Sequence, residues 1–363
     1  MIHHFLLLFL LTQAGPSEAR PCPCEPKVEI RAQIEKAAAA SSAAALSTPA
    51  SDFDLRVAPF LALRERYPDD LFVNQQYQDA VAQNGIEGHL KAMTEEYQAL
   101  DIKNGGATLY HYLFLRSLVG RLTPAAIHGL TEIVTADPNF APAHQTLAEI
   151  YGSPAFHDAE RQKSETGKLS MLCPGSLGAV RPYPLPEPSP AIDEADKLLS
   201  SGGDFDRIIS LTFEGLRSDE WRNQRIRAFD WYSVDFKRKA TADLRREYWK
   251  AWAVQVRSYR KAGRPQQAAG LLASMEVSAA ALNPRNPEGY WDALVTLAHL
   301  YVEGNQVDRA SQTIVRMRQL IAKQPGEQNN EKTEVLNSLQ KLVPNPPHSQ
   351  TVTSSPSGIG PQR

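Results

Sequence analysis

Prolines in this chain fall at an interval that strongly restricts what it can fold into. Asp137-Pro138 and Cys173-Pro174 lie 36 residues apart, and Asn283-Pro284 follows 110 further on, about three such intervals. Proline has no amide hydrogen and its ring clashes with the preceding turn, so a helix stops before it and a new one starts well behind it. Apolar positions keep the same beat. Thirty-four residues separate Tyr110 from His144, and Leu113 from Leu147. Ala126, Leu130 and Ile133 stand between them, and Ala148 and Tyr151 complete the second face. A period of this length punctuated by helix stops predicts stacked helix pairs, because no single pair can bury its apolar stripe alone.

Two later segments carry a fuller pattern: Leu294, Leu297, Ala298, Tyr301, Gly304, Ala310, Ile314 and Met317, then Trp252, Val256, Tyr259, Gly263, Ala268, Leu272 and Met275. A further unit runs from Val73 through Tyr77, Ala80, Gly85 and Met93 to Asp101. Large residues three and four apart form one stripe, and Ala or Gly at the crossing lets two helices approach closely. These segments resemble the tetratricopeptide repeat, a 34-residue helix-turn-helix unit. The register weakens after Tyr151, where the helix expected over 157–171 is polar. About four recognisable units and two or three degenerate ones cover roughly two-thirds of the chain. No run of β-branched residues alternates. The expected fold is all-α, a TPR-like α-solenoid of stacked helix pairs in two lobes.

The expected layout follows composition. Phe5 to Leu11 is a seven-residue apolar run followed by Ser17-Glu18-Ala19, which reads as a signal peptide over 1–19 cut after Ala19. Only His3 and His4 precede that run in place of the usual Lys or Arg, and Ala14 is a second possible cut site. A segment over 20–51 is low in complexity, with Ala and Ser dominating 37–51; it reads as helical at best near Arg31 to Ala45 and otherwise as a spacer. A first helical lobe is expected over 52–173. Six prolines in the seventeen residues 174–190 mark a linker. A second lobe is expected over 191–343, and the tail 344–363, which lacks apolar periodicity, is expected to be disordered. No later stretch approaches the length needed to cross a bilayer. The expected location is therefore periplasmic or extracellular.

Three cysteines remain, Cys22, Cys24 and Cys173. Export permits a disulfide, and an odd count leaves a thiol over. Cys22-Pro23-Cys24 matches neither a C-x-x-C redox motif nor a zinc pair, and reads as exposed thiols on a flexible terminus.

The total charge of −2 conceals a strongly basic stretch. Arg217 to Arg264 holds fourteen Lys and Arg against six Asp and Glu, and four of the five tryptophans. Two readings stay open. The aromatics at helical spacing are inter-helix core and the cations a solvated face; or Arg225, Arg227, Arg245 and Arg246 clamp a partner's carboxylates while Trp231, Trp249 and Trp252 supply apolar contact. Nucleic acid would suit such a patch but does not suit an exported chain.

No H-E-x-x-H, G-x-S-x-G, Walker loop or dinucleotide fingerprint occurs, so no catalytic residue, cofactor or metal ligand is assigned. His144 and His299 read as helix-packing or groove residues. The expected function is non-enzymatic: an adaptor or scaffold that binds a protein or peptide. A second resemblance concerns 52–151 and the stretch Arg225 to Trp252 around Phe229-Asp230-Trp231-Tyr232-Ser233. They look like the helical-repeat region that precedes a thioredoxin-like domain in some soil-bacterial exported proteins. That resemblance implies a helper or regulatory subunit of a separate thioredoxin-like redox protein, since no C-x-x-C is present here.

Overall fold

The structure, a computed structural model, describes residues 25–47, 52–174, 188–323 and 329–343. The expected signal peptide, most of the proline-rich linker, the tail and both Cys22 and Cys24 lie outside these residues. The described chain is helical throughout, with fifteen α-helices and no strand among the described residues. It divides into two compact units: Met1–Leu185 with Gln224–Val234, and Pro186–Asn223 with Asp235–Arg363.

The first unit holds α1 (Val28–Ser47), α2 (Phe53–Arg66), α3 (Leu71–Asn84), α4 (Glu87–Lys103), α5 (Thr108–Ser117), α6 (Thr123–Ala136), α7 (Ala141–Tyr151) and α8 (Ala159–Leu172). Each packs on the next, and α3 also touches α1 and α5. The residues of the 34-residue pattern are its core: Leu113, Ala126, Leu130 and Leu147 are at most 1 % exposed. Starts are fixed locally. The Asp70 carboxylate accepts the Phe72 and Val73 amides at α3, and Asp158 accepts that of Arg161 at α8. Proline sits in the first turn of α6 and of α7. Helices α6 and α8 end two residues before Pro138 and Pro174, as the spacing predicts.

Two features of this unit depart from the sequence reading. The helix expected near Arg31 to Ala45 is present as the longer α1, and it is part of the first unit rather than a segment apart: it packs on α2 and buries Ile30 and Ala37 in the unit's core. The boundary of the first lobe is also not final at residue 173, because Gln224–Val234 belongs to the same unit. In this returning segment Arg225 is fully buried and donates to the carbonyls of Gly85 at 2.7 Å and Ala82 at 3.0 Å, at the C-terminal end of α3. Its guanidinium lies 4.8 Å from the centroid of the buried Phe229 ring. Five residues on, the Asp230 carboxylate accepts both the amide and the hydroxyl of Thr123, at 2.8 and 2.7 Å, at the start of α6. The Asp230 amide donates to Gly120 at 2.7 Å. A cation thus meets the negative end of one helix and an anion the positive end of another. Gly120 adopts φ 92, and a Cβ there would come within 3.0 Å of the Phe229 ring.

The second unit holds α9 (Ala191–Ser201), most of α10 (Phe205–Ala228), α11 (Val234–Lys261), α12 (Pro265–Leu282), α13 (Pro287–Glu303), α14 (Val307–Lys323) and α15 (Asn329–Leu342). Helices α12 to α15 pack in sequence, and α15 also touches α13. Leu294, Ala298, Ala310 and Met317 of the fullest pattern are at most 1 % exposed, as are Val256 and Met275 of the preceding one. Helix α12 ends at Leu282, again two residues before its proline. The Lys261 ammonium donates to Leu199 O at the end of α9, and Arg260 to Leu300 O near the end of α13.

Arg225→Ala removes both carbonyl contacts and the ring contact in one step. We expect chemical denaturation to show a loss of about 3 kcal/mol, with Arg225→Lys recovering only part because it cannot span both carbonyls. An unchanged midpoint for Arg225→Ala would contradict this account.

Candidate functional site

The seven residues proposed from sequence to contact a partner are divided between the two units. Arg225, Arg227 and Trp231 belong to the first unit, and Arg245, Arg246, Trp249 and Trp252 to the second. Arg225 and Trp231 are buried in the first unit's interior, so neither presents a surface to a ligand; only Arg227 of that trio is exposed. In the second unit Trp249 is 3 % exposed and Trp252 packs against the same core. Arg245 faces Asp292 at 3.6 Å. The aromatic residues are thus largely inter-helix packing.

A groove of about 370 Å³ nevertheless lies between α11 and α13, and it retains two of the seven, Arg246 and Trp249. Its α11 wall is Arg246, Trp249, Lys250, Ala253 and Arg257, spaced at one helical stripe; its α13 wall is Trp291, Asp292, Val295, Thr296 and His299. Val335 of α15 closes one side. Indole edges and aliphatic carbons form the floor, and three cations stand on the rim. Each rim cation has an internal partner. Arg246 meets Asp243 at 3.1 Å, Lys250 pairs with Asp193, and Arg257 makes two bonds to Glu303 at 2.8 and 2.6 Å. Pairs between partly exposed groups contribute about 0 to 1 kcal/mol each, so an incoming carboxylate exchanges with them at small cost. Burial lowers the His299 pKa, against the pull of Glu303. His299, read from sequence as a helix-packing or groove residue, lines this groove, and the signal for Lys250, Arg257 and Trp291 was present as helical spacing. It was missed because the second wall lies some forty residues beyond the first.

The first unit offers a different arrangement, a polar layer sealed inside it. Alternate helices α3, α5 and α7 face each other through Gln75, Gln78, Asp79, Tyr112, Arg116, Thr146 and Glu149, all at most 9 % exposed. Arg116 donates to Gln78 Oε1 at 2.7 Å and to Asp79 Oδ1 at 2.8 Å. Gln75 donates to the Tyr112 hydroxyl at 2.7 Å, and that hydroxyl meets Thr146 Oγ1, one period away, at 3.0 Å. Burial pushes the Asp79 carboxyl up to about 7, against the pull of Arg116, and the Glu149 carboxyl up to about 8. One guanidinium cannot hold two buried carboxylates ionised against desolvation. His144 is also fully buried, with Nδ1 2.5 Å from Glu165 and Nε2 3.0 Å from Pro138 O, a packing residue rather than a groove residue.

Among the described residues, no group of three or more His, Cys, Asp or Glu is placed to hold a metal ion, and no helix is long and apolar enough to cross a membrane. No family model matches the chain, and no curated protein or solved structure matches it either.

The sealed layer sets a pH dependence. The folded chain keeps protons on Glu149 and Asp79 that the unfolded chain has released above about pH 4 to 5. Stability should therefore fall as pH rises from about 5 to 8, because the unfolded state binds fewer protons over that window. Glu149→Gln removes one titration and should be more stable than the parent by about 1 to 2 kcal/mol at pH 8.5, and near parity at pH 5. Urea titrations at both pH values decide; equal pH slopes for parent and variant would refute the assignment.

Proposed function

We propose that this chain is an exported, non-enzymatic adaptor built from tetratricopeptide-like helix pairs, and that the α11–α13 groove binds a peptide segment of a partner protein. The observation that carries the reading is the pairing of two helical stripes across one apolar floor, with exchangeable cations along the rim. Such a surface suits a peptide with carboxylates flanking an apolar or aromatic side chain. Stacked helix pairs support it. The Tyr112–Thr146 contact links residues one period apart, and the Leu-Ala-Tyr-Gly-Ala pattern of the second unit packs as one core.

Export is supported by the apolar run and small residues at the N-terminus, and by Cys173, which is buried and in a disulfide. Disulfides persist mainly in oxidising compartments. Peptide mapping of the natively expressed protein under non-reducing conditions should recover Cys173 only in disulfide-linked peptides, and free Cys173 thiol would argue against export.

The groove is tested by selecting ligands from a displayed random-peptide library on the full chain. Enriched peptides should carry Asp or Glu beside an aromatic or aliphatic residue. Their affinity should drop at least tenfold for Arg246→Glu/Lys250→Glu and for Thr296→Trp, which fills the groove. Selected peptides that bind all three proteins equally would place recognition elsewhere.

A further inference from the structure

A second trough runs along α12, α13 and α14 of the same unit, and it differs from the groove in charge balance. Two cavities, about 230 and 410 Å³, share Tyr290 and Arg316 and together follow α14 from Arg309 to Lys323. Tyr290, Leu294 and Leu320 are among the apolar residues lining them, with Pro284 and Pro287 of the α12–α13 turn.

The cations on this wall fall at a constant interval. Arg309, Arg316 and Lys323 are seven residues apart, two helical turns, which sets them about 10.5 Å from one to the next on one face. Arg309 is already engaged: it meets Glu276 at 2.9 Å, and the same carboxylate accepts the Tyr301 hydroxyl. Arg316 and Lys323 are exposed, and no carboxylate among the described residues pairs with either. The α12 wall contributes Glu276 as its one acidic lining residue. The α14 side of the trough is thus uncompensated in charge at Arg316 and Lys323, whereas every cation of the α11–α13 groove is paired.

We propose that the α12–α14 trough is a separate recognition site for an acidic partner segment in an extended, polyproline-like conformation, with carboxylates three residues apart. A polyproline helix has three residues per turn and rises about 3.1 Å per residue, so residues i and i+3 share a face at about 9.3 Å. That spacing matches the step from Arg316 to Lys323. Each guanidinium or ammonium then takes one carboxylate while the intervening residues lie over Tyr290 and the two prolines. An α-helical ligand reaches a comparable step only with carboxylates seven residues apart, about 10.5 Å, so the three-residue interval is what separates the two kinds of ligand. This site does not depend on the α11–α13 groove.

The test uses the full chain and two fluorescent twelve-residue peptides, one with Glu at every third position among prolines and one with Gln in its place. Fluorescence anisotropy should show the Glu peptide binding, with the Gln peptide at least tenfold weaker. Arg316→Glu/Lys323→Glu should weaken the Glu peptide at least tenfold, while Thr296→Trp, in the other groove, leaves it unchanged. Both substituted side chains are exposed, and Arg316→Ala/Lys323→Ala, read by the same titration with circular dichroism, guards against misfolding of the charge reversal. No binding at millimolar peptide would overturn the proposal, as would affinity indifferent to either double variant. Displacement of the peptide by sulfate no less effective than by unlabelled peptide, at constant ionic strength, would reduce the trough to a general anion site and overturn it too.

Discussion

A helix hairpin whose apolar stripe is wider than one neighbour can cover must find a second neighbour, and this requirement organises the molecule. In the first unit α5 satisfies it by resting on α3, α4 and α6 at once, with Tyr112 and Leu113 essentially free of solvent. In the second unit α13 does the same between α12, α14 and α15. Small residues at the crossings make the approach possible. Ala126, Ala298 and Ala310 are fully buried, and a Cβ at Gly129 would come within 2.5 Å of the Leu115 side chain. Packing at this closeness leaves the charged residues two choices, the outside or an interior where they are hydrogen-bonded.

Both choices are used, and they separate structural chemistry from chemistry available to a partner. Arg116, Arg225, Asp79 and Glu149 are interior, and the bonds of Arg116 to Asp79 and of Arg225 to the end of α3 position one helix relative to another. Arg64 is a similar case at the α2–α3 junction. It donates to Asn74 and to Glu96 and stands over the rings of Tyr77 and Tyr97 at 4.7 and 4.9 Å. The cations of α11 and α14 instead stand beside open concavities, where their charge is felt at the surface. Residue type alone does not distinguish Arg225 from Arg246; surroundings do.

Much of the helical frame could be read from the sequence because its signals are local. Pro138, Pro174 and Pro284 each stop a helix two residues earlier, and the Leu and Ala positions of the Leu-Ala-Tyr-Gly-Ala spacing are all buried. Helix α1 was legible as a helix but not as part of the core, because an Ala/Ser-rich helix has almost no amphipathic contrast; only Ile30 and Ala37 mark its buried side. Arg225 escaped for another reason. Its acceptors are two carbonyls of α3, 140 and 143 residues back along the chain, and backbone carbonyls leave no trace in composition. A count of cations and tryptophans therefore merged a buried anchor with a surface wall. Of the candidate groove, the α11 half was half-visible, and the α13 half, His299 apart, required the fold.

The returning segment Gln224–Val234 has a consequence for the order of assembly. A chain made from its N-terminus reaches residue 174 with α1 to α8 complete in sequence, yet the slot for Phe229 beside Gly120 stays empty. The carbonyls of Ala82 and Gly85 and the first amides of α6 lack their side-chain partners until some fifty further residues have been added. The covalent boundary of the first unit and its structural boundary are thus different places. No fragment cut at the proline-rich stretch contains the whole unit, and the first half of the molecule is finished only after the second half has begun.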